Sequence, residues 1–175
     1  KVQPMKPDER EIQQRMDRFK AACSDSGVRL THQRLEVFRE VAQAGDHPDA
    51  EAVYKRVRKR MPTISLDTIY RTLWLLNDLG LITTLGTPRE RTRFDANLTR
   101  HHHFVCVHCG LTQDFYSEEL DDIKLPPTAE ILGQAEMTLV EVRGVCRECS
   151  SNNSKPINPK NRGATMAKKK KLTNS

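Results

Sequence analysis

The sequence predicts an α+β protein, with an N-terminal winged-helix half over residues 8–94 and a small C-terminal α/β half over residues 95–150. Three observations predict it. Residues 8–80 hold four apolar helical repeats, each opened by a capping side chain. A short, basic two-strand pattern follows them. Beyond it, β-type segments are interleaved with two CxxC pairs.

The elements follow in order. Asp8 and Glu11 form a capping box, after which Ile12, Met16, Phe19 and Cys23 recur at helical spacing to about Ser24. Cys23 shares that apolar face and reads as a buried thiol. Thr31 caps a second helix, with Leu35, Phe38, Val41 and Ala42 inward, and GDHPD makes a turn. Asp49 caps a third helix, AEAVYKRVRKR, which runs to Met61 before Pro62. Its inner face is Ala52, Val53, Val57 and Met61, and its outer face is Lys55, Arg56, Arg58, Lys59 and Arg60. Ser65 caps a fourth, LDTIYRTLWLLNDL, stopped by Gly80, with a stripe of Leu66, Ile69, Leu73 and Leu76. Thr68, Arg71 and Thr72 lie off that stripe.

LITTL, the turn GTPRE and RTRFD then make a basic hairpin. Helices followed by such a wing form a winged helix, whose second helix-turn-helix element enters the DNA major groove. Tyr70 and Arg71 are the candidates for base edges, with Ser65 and Thr68 at the start of the same helix. Arg34, Arg89 and Arg91 are the candidates for phosphates. Residues 95–98 read as a hinge, residues 102–107, 111–116 and 135–145 as β segments, and SEELDDI as a short helix.

Composition limits the function classes. Hydrophobic residues make up 37% of 175, enough for small cores, and no apolar run approaches the ~18 residues of a membrane span. KVQPMKPDER has no apolar signal core, and Met5 reads as the natural start. The expected compartment is the cytoplasm, where thiols stay reduced, so five cysteines indicate metal or redox chemistry before disulfides. The formal charge of +6 divides into +3 over residues 1–85, −4 over 86–150 and +7 over 151–175. The basic pI therefore comes from the tail, which reads as disordered, its KKKK run as solubilising rather than DNA-contacting.

Cys106-Val-His-Cys109 is followed 37 positions later by Cys146-Arg-Glu-Cys149. Two such pairs supply four thiolates for a closed tetrahedral zinc site. A lone redox CxxC or two disulfides would compete, but zinc explains both pairs together. His108, between two ligands, reads as exposed or supporting.

The run HHHFVCVHCG raises a second site. In an extended chain, His101 and His103 share one face while His102 and Cys106 share the other. The His-x-His pair then points away from the sulfurs, and one strand serves two metals. Asp95, Asp114 and the turn residue His47 would complete a mixed nitrogen and oxygen set.

GVRLTHQRLEVF, AGDHPDAEAVY, SLDTIYRTLWLLNDLGLI, RFD, HHHFVCVHCG and GVCRECS occur in the order found in the ferric uptake regulator family, which this chain resembles over residues 8–150. The resemblance implies a homodimeric, metal-dependent repressor of operator DNA, not an enzyme. It implies a regulatory Fe(II) or Mn(II) ion between the halves, held by His47, Asp95, His101, His103 and Asp114. Metal binding then fixes the spacing of two recognition helices.

Asp114 stands where iron-sensing members usually have Glu, and Asp is typical of peroxide-sensing members. The resemblance therefore implies Fe(II)-dependent oxidation of His47 or His101 by hydrogen peroxide, the one small-molecule reactant expected. At the positions of an additional His/acid site of the family stand Arg100, His102, Asp121 and Thr138, a poor donor set. Arg71 after Tyr70 is closer to the iron sensors, which makes an iron-responsive repressor the alternative. Zinc sensors place a cysteine near the sensory site, and none stands there here. A zinc-dependent hydrolase is the alternative from another class, although five ligands would leave no free acid or base.

Overall fold

The computed structural model describes residues 6–86, 92–135 and 137–151. Its helical half begins with α1 (Glu9–Asp25), α2 (His32–Ala42), α3 (Ala50–Val57) and α4 (Leu66–Asp78). Each starts where a side chain accepts an otherwise unpaired backbone N–H: Asp8, Thr31, Asp49 and Ser65 are the N-caps. At α1 the capping box is complete, with Asp8 accepting from Glu11 N at 2.8 Å and Glu11 accepting from Asp8 N at 3.1 Å. Gly80, at φ +64, ends α4 in the left-handed conformation expected of a C-terminal glycine. β1 (Thr83–Leu85) and β2 (Arg93–Asp95) then pair antiparallel, Thr83 opposite Asp95. The core joins Phe19, Val37, Phe38, Val53, Ile69, Leu73, Leu76 and Phe94.

The third helix departs from expectation. It ends at Val57, and residues 58–60 form a turn in which Arg60 N donates to Val57 O at 2.9 Å. The turn sends Arg60 back to α2, where its Nε lies 3.0 Å from Glu36 and a terminal nitrogen 2.8 Å from Glu40. Both carboxylates are buried. Arg56 pairs with Asp46 and lies 3.8 Å from Glu40. Two cations expected on an outer face are thus partners of buried acids, which a pattern of apolar residues does not reveal. Thr72 is also buried, beside Leu73, rather than lying off the stripe.

The second half is a three-stranded sheet in the order β4 (Thr112–Phe115), β3 (His102–Cys106), β5 (Glu141–Gly144). β3 runs antiparallel to β4 and parallel to β5. Among the described residues of the β segment expected over 135–145, only 141–144 form a strand. α5 (Glu118–Asp121) takes the place expected for SEELDDI, while α6 (Pro127–Glu130) and α7 (Arg147–Ser151) were not expected. Little apolar surface is buried here: Cys106, Cys146 and Cys149 form the centre, with Phe104 and Leu111 against them. The fold is α+β, a helical half and a small β half built on a cysteine cluster. Among the described residues no helix is long and apolar enough to cross a membrane. Arg89, Arg91 and the basic tail beyond Ser151 lie outside the described residues.

Replacing Arg60 by Ala leaves Glu36 with Arg39 and Glu40 with the more distant Arg56. Removing one partner of a fully buried pair costs about 3–5 kcal/mol; the half-exposed guanidinium and the remaining cations reduce this to about 1–2 kcal/mol. Urea unfolding should show that loss, and an unchanged midpoint would remove the network from the stabilising interactions.

Candidate metal centres and nucleic-acid face

His47 occupies the turn between α2 and α3 at φ +48, a left-handed conformation that a non-glycine residue adopts at a cost of about 1–3 kcal/mol. β2 holds it there. Arg93 donates to the carbonyls of His47 at 3.1 Å and Asp46 at 3.4 Å, and Phe94 N donates to Pro48 O at 3.1 Å. The next residue, Asp95, ends β2 and faces His47. From the sheet, His103 on β3 lies directly opposite Asp114 on β4, and His101 precedes β3 on the same face. One donor atom from each of His47, Asp95, His101, His103 and Asp114 lies within 4.8 Å of every other.

The distances fit a single ion. His47 Nε2 is 2.7 Å from Asp114 Oδ1, His101 Nε2 is 3.0 Å from Asp95 Oδ2, and His101 and His103 bring their Nε2 atoms to 2.8 Å. His103 Nε2 stands 3.5–3.6 Å from both oxygens. Adjacent donors around an ion at ~2.1 Å lie ~3.0 Å apart. Asp95 Oδ2 and Asp114 Oδ1 are buried and, among the described residues, receive no well-aligned hydrogen bond. His101 Nδ1–H donates to Thr99 O at 2.6 Å, which leaves the Nε2 lone pair aimed into the cluster.

Without a metal, protons stand in for the cation. Burial pushes the His47 pKa down, but hydrogen bonding and charge from Asp114 and Asp95 more than reverse this, raising it to about 9. Burial likewise opposes the Asp95 carboxylate, yet the imidazoles of His101, His103 and His47 hold it far below the usual carboxylate range.

The second cluster lies on the opposite face of β3. The sulfurs of Cys106, Cys109, Cys146 and Cys149 lie within 4.8 Å of one another, with Cys109 and Cys146 3.8 Å apart and no disulfide formed. Thiolates bound at ~2.3 Å to a tetrahedral zinc lie ~3.8 Å apart. Burial opposes ionisation of Cys106, but the N–H groups of Cys109, Cys146 and His108 bring its pKa down to about 6. His102 also points to this side of the strand, with Nε2 3.3 Å from Asp121 and Nδ1 accepting from Val140 N. Arg100 Nε lies 3.1 Å from Asp121, so a guanidinium already neutralises that acid.

The ferric uptake regulator family model matches residues 25–143. The chain belongs to the ferric uptake regulator family. It is 32% identical over 136 residues to the peroxide-responsive repressor PerR of Staphylococcus epidermidis, covering 77% of this chain and 89% of that one. Among solved structures, the Vibrio cholerae ferric uptake regulator matches at TM-score 0.61 and 25% identity, covering 73% of this chain and 99% of that chain. The Helicobacter pylori ferric uptake regulator matches at TM-score 0.65 and 22% identity, over 79% and 93% of the two chains, and there the likeness is one of fold. As a family member the chain is a metal-dependent transcriptional repressor and not an enzyme, and the hydrolase alternative is set aside.

In this ferric uptake regulator fold, α4 presents Tyr70 and Arg71 outward. Arg71 is highly exposed and pairs with the exposed Asp67 at 3.0 Å, an ion pair that contributes little to stability. Ser65 is exposed at the helix start, its Oγ 2.8 Å from Thr68 Oγ1. Arg34 donates to Arg29 O at the start of α2. Trp74, one turn beyond Tyr70, is 46% exposed with its ring edge-on to Phe94, and the sequence reading passed over it. Arg93 and Asn97 likewise lie outside the site residues expected from the sequence. An Asx turn at Asp95-Ala96-Asn97 is the signal that could have found the latter.

The raised His47 pKa sets a pH dependence for protein free of Fe(II) and Mn(II). Stability from the charged imidazole is fully present below pH 6.5 and is lost as pH rises through about 9. Urea unfolding should therefore show a decline over that window of up to about 3 kcal/mol. Stability that rises with pH there would contradict this charge assignment.

Proposed function

We propose that this chain is a homodimeric, peroxide-responsive repressor whose regulatory ion is Fe(II) or Mn(II), held by His47, Asp95, His101, His103 and Asp114. The convergence of those five donors between the two halves supports the reading, as does the likeness to a peroxide-responsive repressor. Zn(II) occupies Cys106, Cys109, Cys146 and Cys149 and supplies the folding free energy that so small an apolar core lacks. Residues 8–94 bind operator DNA, residues 95–150 hold the dimer together, and the tail from residue 151 is dispensable. The reduced thiols of the zinc site suit the cytoplasm.

A bound ion would tie the turn carrying His47 to Asp95 of β2, His101 just before β3, His103 on β3 and Asp114 of β4. Clamped in this way, two recognition helices of a dimer keep the spacing of operator half-sites. Tyr70 and Arg71, with Ser65 and Thr68 beside them, face base edges, while Arg34, Arg89 and Arg91 position the helix on phosphates. Arg71→Ala should cost about 1–3 kcal/mol at the preferred site and relax sequence preference. Arg34→Ala should instead weaken all sequences and reduce the salt slope by about 0.9. Operator binding that is lost when only the tail is deleted would overturn this map.

Fe(II), held by these five residues, would mediate cleavage of the peroxide O–O bond, with the oxidised imidazole supplying the two electrons net. Net, one oxygen of H₂O₂ enters an imidazole carbon of His47 or His101 and the other leaves as water. Loss of either imidazole as a donor releases the clamp and the DNA. Dilute peroxide should therefore add one oxygen to a peptide holding His47 or His101 in the Fe(II) protein and not in the Mn(II) protein. Asp114→Glu should retain metal-dependent DNA binding and lose much of the peroxide response. Oxidation confined to cysteines, or an operator complex indifferent to peroxide, would select the alternative favoured by Arg71 after Tyr70, an iron-responsive repressor.

A further inference from the structure

Asn97 stands just beyond β2 and is buried, 8% exposed. It touches both carboxylates of the His/Asp cluster, and in each case the oxygen that faces away. Its backbone N–H donates to Asp95 Oδ1 at 2.7 Å, and its side-chain Nδ2 donates to Asp114 Oδ2 at 3.0 Å. The inner oxygens, Asp95 Oδ2 and Asp114 Oδ1, are the ones that point at the imidazoles without a well-aligned donor.

The amide can take only one orientation. Nδ2 also donates to Tyr116 Oη at 2.9 Å, while Oδ1 accepts from Thr99 Oγ1 at 2.6 Å and Thr99 N at 3.3 Å. A flipped amide would set its oxygen against the Asp114 carboxylate. The same Thr99 accepts from His101 Nδ1 through its carbonyl. One buried residue therefore meets the outer edge of three of the five, Asp95 through its backbone N–H, Asp114 through its amide and His101 through Thr99. Next to it, Asp95, Asn97, Asp114 and Tyr116 line a cavity of about 50 Å³, large enough for a molecule the size of water or peroxide.

We propose that Asn97 is a positioning residue that limits Asp95 and Asp114 to one ligating oxygen each, and so keeps one coordination position of the regulatory ion open. A carboxylate binds a metal through one oxygen or two, and an outer oxygen already accepting a hydrogen bond is held away from the metal. Three imidazoles and two single oxygens make five donors, which leaves one position of an octahedron for an exogenous ligand. If the outer oxygen of Asp114 were free, it could rotate into that position and close it. The inference rests on the reading that these five residues hold the ion.

The experiment uses full-length, zinc-containing protein with Mn(II) as the probe, and water-proton relaxation to count exchangeable water on the ion. Wild-type protein should show the enhancement of an inner-sphere water. Asn97→Ala keeps the backbone bond to Asp95 but frees Asp114, so it should bind Mn(II) and lose that enhancement. Asn97→Asp preserves shape if the alanine variant does not fold; it places like charge against the outer oxygen of Asp114 and should lose the enhancement too. Wild-type relaxation in either folded variant overturns the proposal. So does a folded variant unable to bind Mn(II), because Asn97 would then build the site rather than limit it. Failure of the underlying reading looks different: wild-type Mn(II) binding would be unaffected by His47→Ala. Failure of peroxide sensing alone would leave the relaxation result standing.

Discussion

Two carboxylates, the buried Asp95 and the half-buried Asp114, set the constraint on which the rest of the arrangement depends. Anions removed from water need positive charge or a cation beside them, at a cost of several kcal/mol each if left alone. Each half of the fold contributes to meeting that need. The sheet brings His103 opposite Asp114 and leaves His101 on the same face, and the α2–α3 turn brings His47 across to both acids. Because His47 is separated in sequence from the other four residues, the same attraction that neutralises the acids also joins the helical half to the sheet. In the absence of metal a proton on His47 performs this role, which is why a buried imidazole is held charged so far above its ordinary pKa.

Arg93 extends the constraint to the sulfur cluster. One of its terminal nitrogens holds the carbonyls of Asp46 and His47, and the other donates to Gly110 O at 2.9 Å. Gly110 closes the turn that carries Cys106 and Cys109, with its own N–H donating to Cys106 O at 2.9 Å. Asp46 in turn pairs with Arg56, which approaches Glu40 of α2. A line of ion pairs and charged hydrogen bonds therefore runs from the helical half, past the His47 turn, to the cysteine turn. The strained backbone of His47 is retained because this line fixes it on both sides.

Much of this was legible in the sequence because the signals were periodic or paired. Four N-caps, a complete capping box and a two-residue alternation at His101–His103 are local rules, and local rules survive tertiary packing. Two matched CxxC pairs identify a cluster whatever the fold around it. What was not legible depended on partners distant in sequence. Arg56 and Arg60 looked solvated because an acid on another helix leaves no mark on their own helix. Thr72, by contrast, stands three residues after Ile69 and four before Leu76, so helical spacing places it on the buried face despite its hydroxyl. The roles of Arg93 and Asn97 lie in hydrogen bonds to backbone carbonyls and to the outer edges of carboxylates, which no spacing rule encodes. β5 was overestimated because residues 135–140 have strand-like composition, while among the described residues the ladder to β3 covers 141–144, with Val140 O accepting from His103 N at 3.0 Å just before it.

The register of β3 is the last constraint. Side chains alternate across a sheet, so a slip by one residue would turn His103 toward the sulfurs and Cys106 toward the carboxylates, destroying both clusters at once. Two neighbours pin the register. On one side Asp114 sits opposite His103; on the other Gly144 sits opposite Cys106. Gly144 has a packing reason to be glycine, since a Cβ there would come within 3.1 Å of the Phe104 ring. With no side chain in the way, β5 lies close enough for Val107 N to reach Gly144 O at 2.8 Å, and Cys146 follows two residues later with its N–H 3.3 Å from Cys106 Sγ. The sulfur cluster thus locks the strand whose other face carries His103.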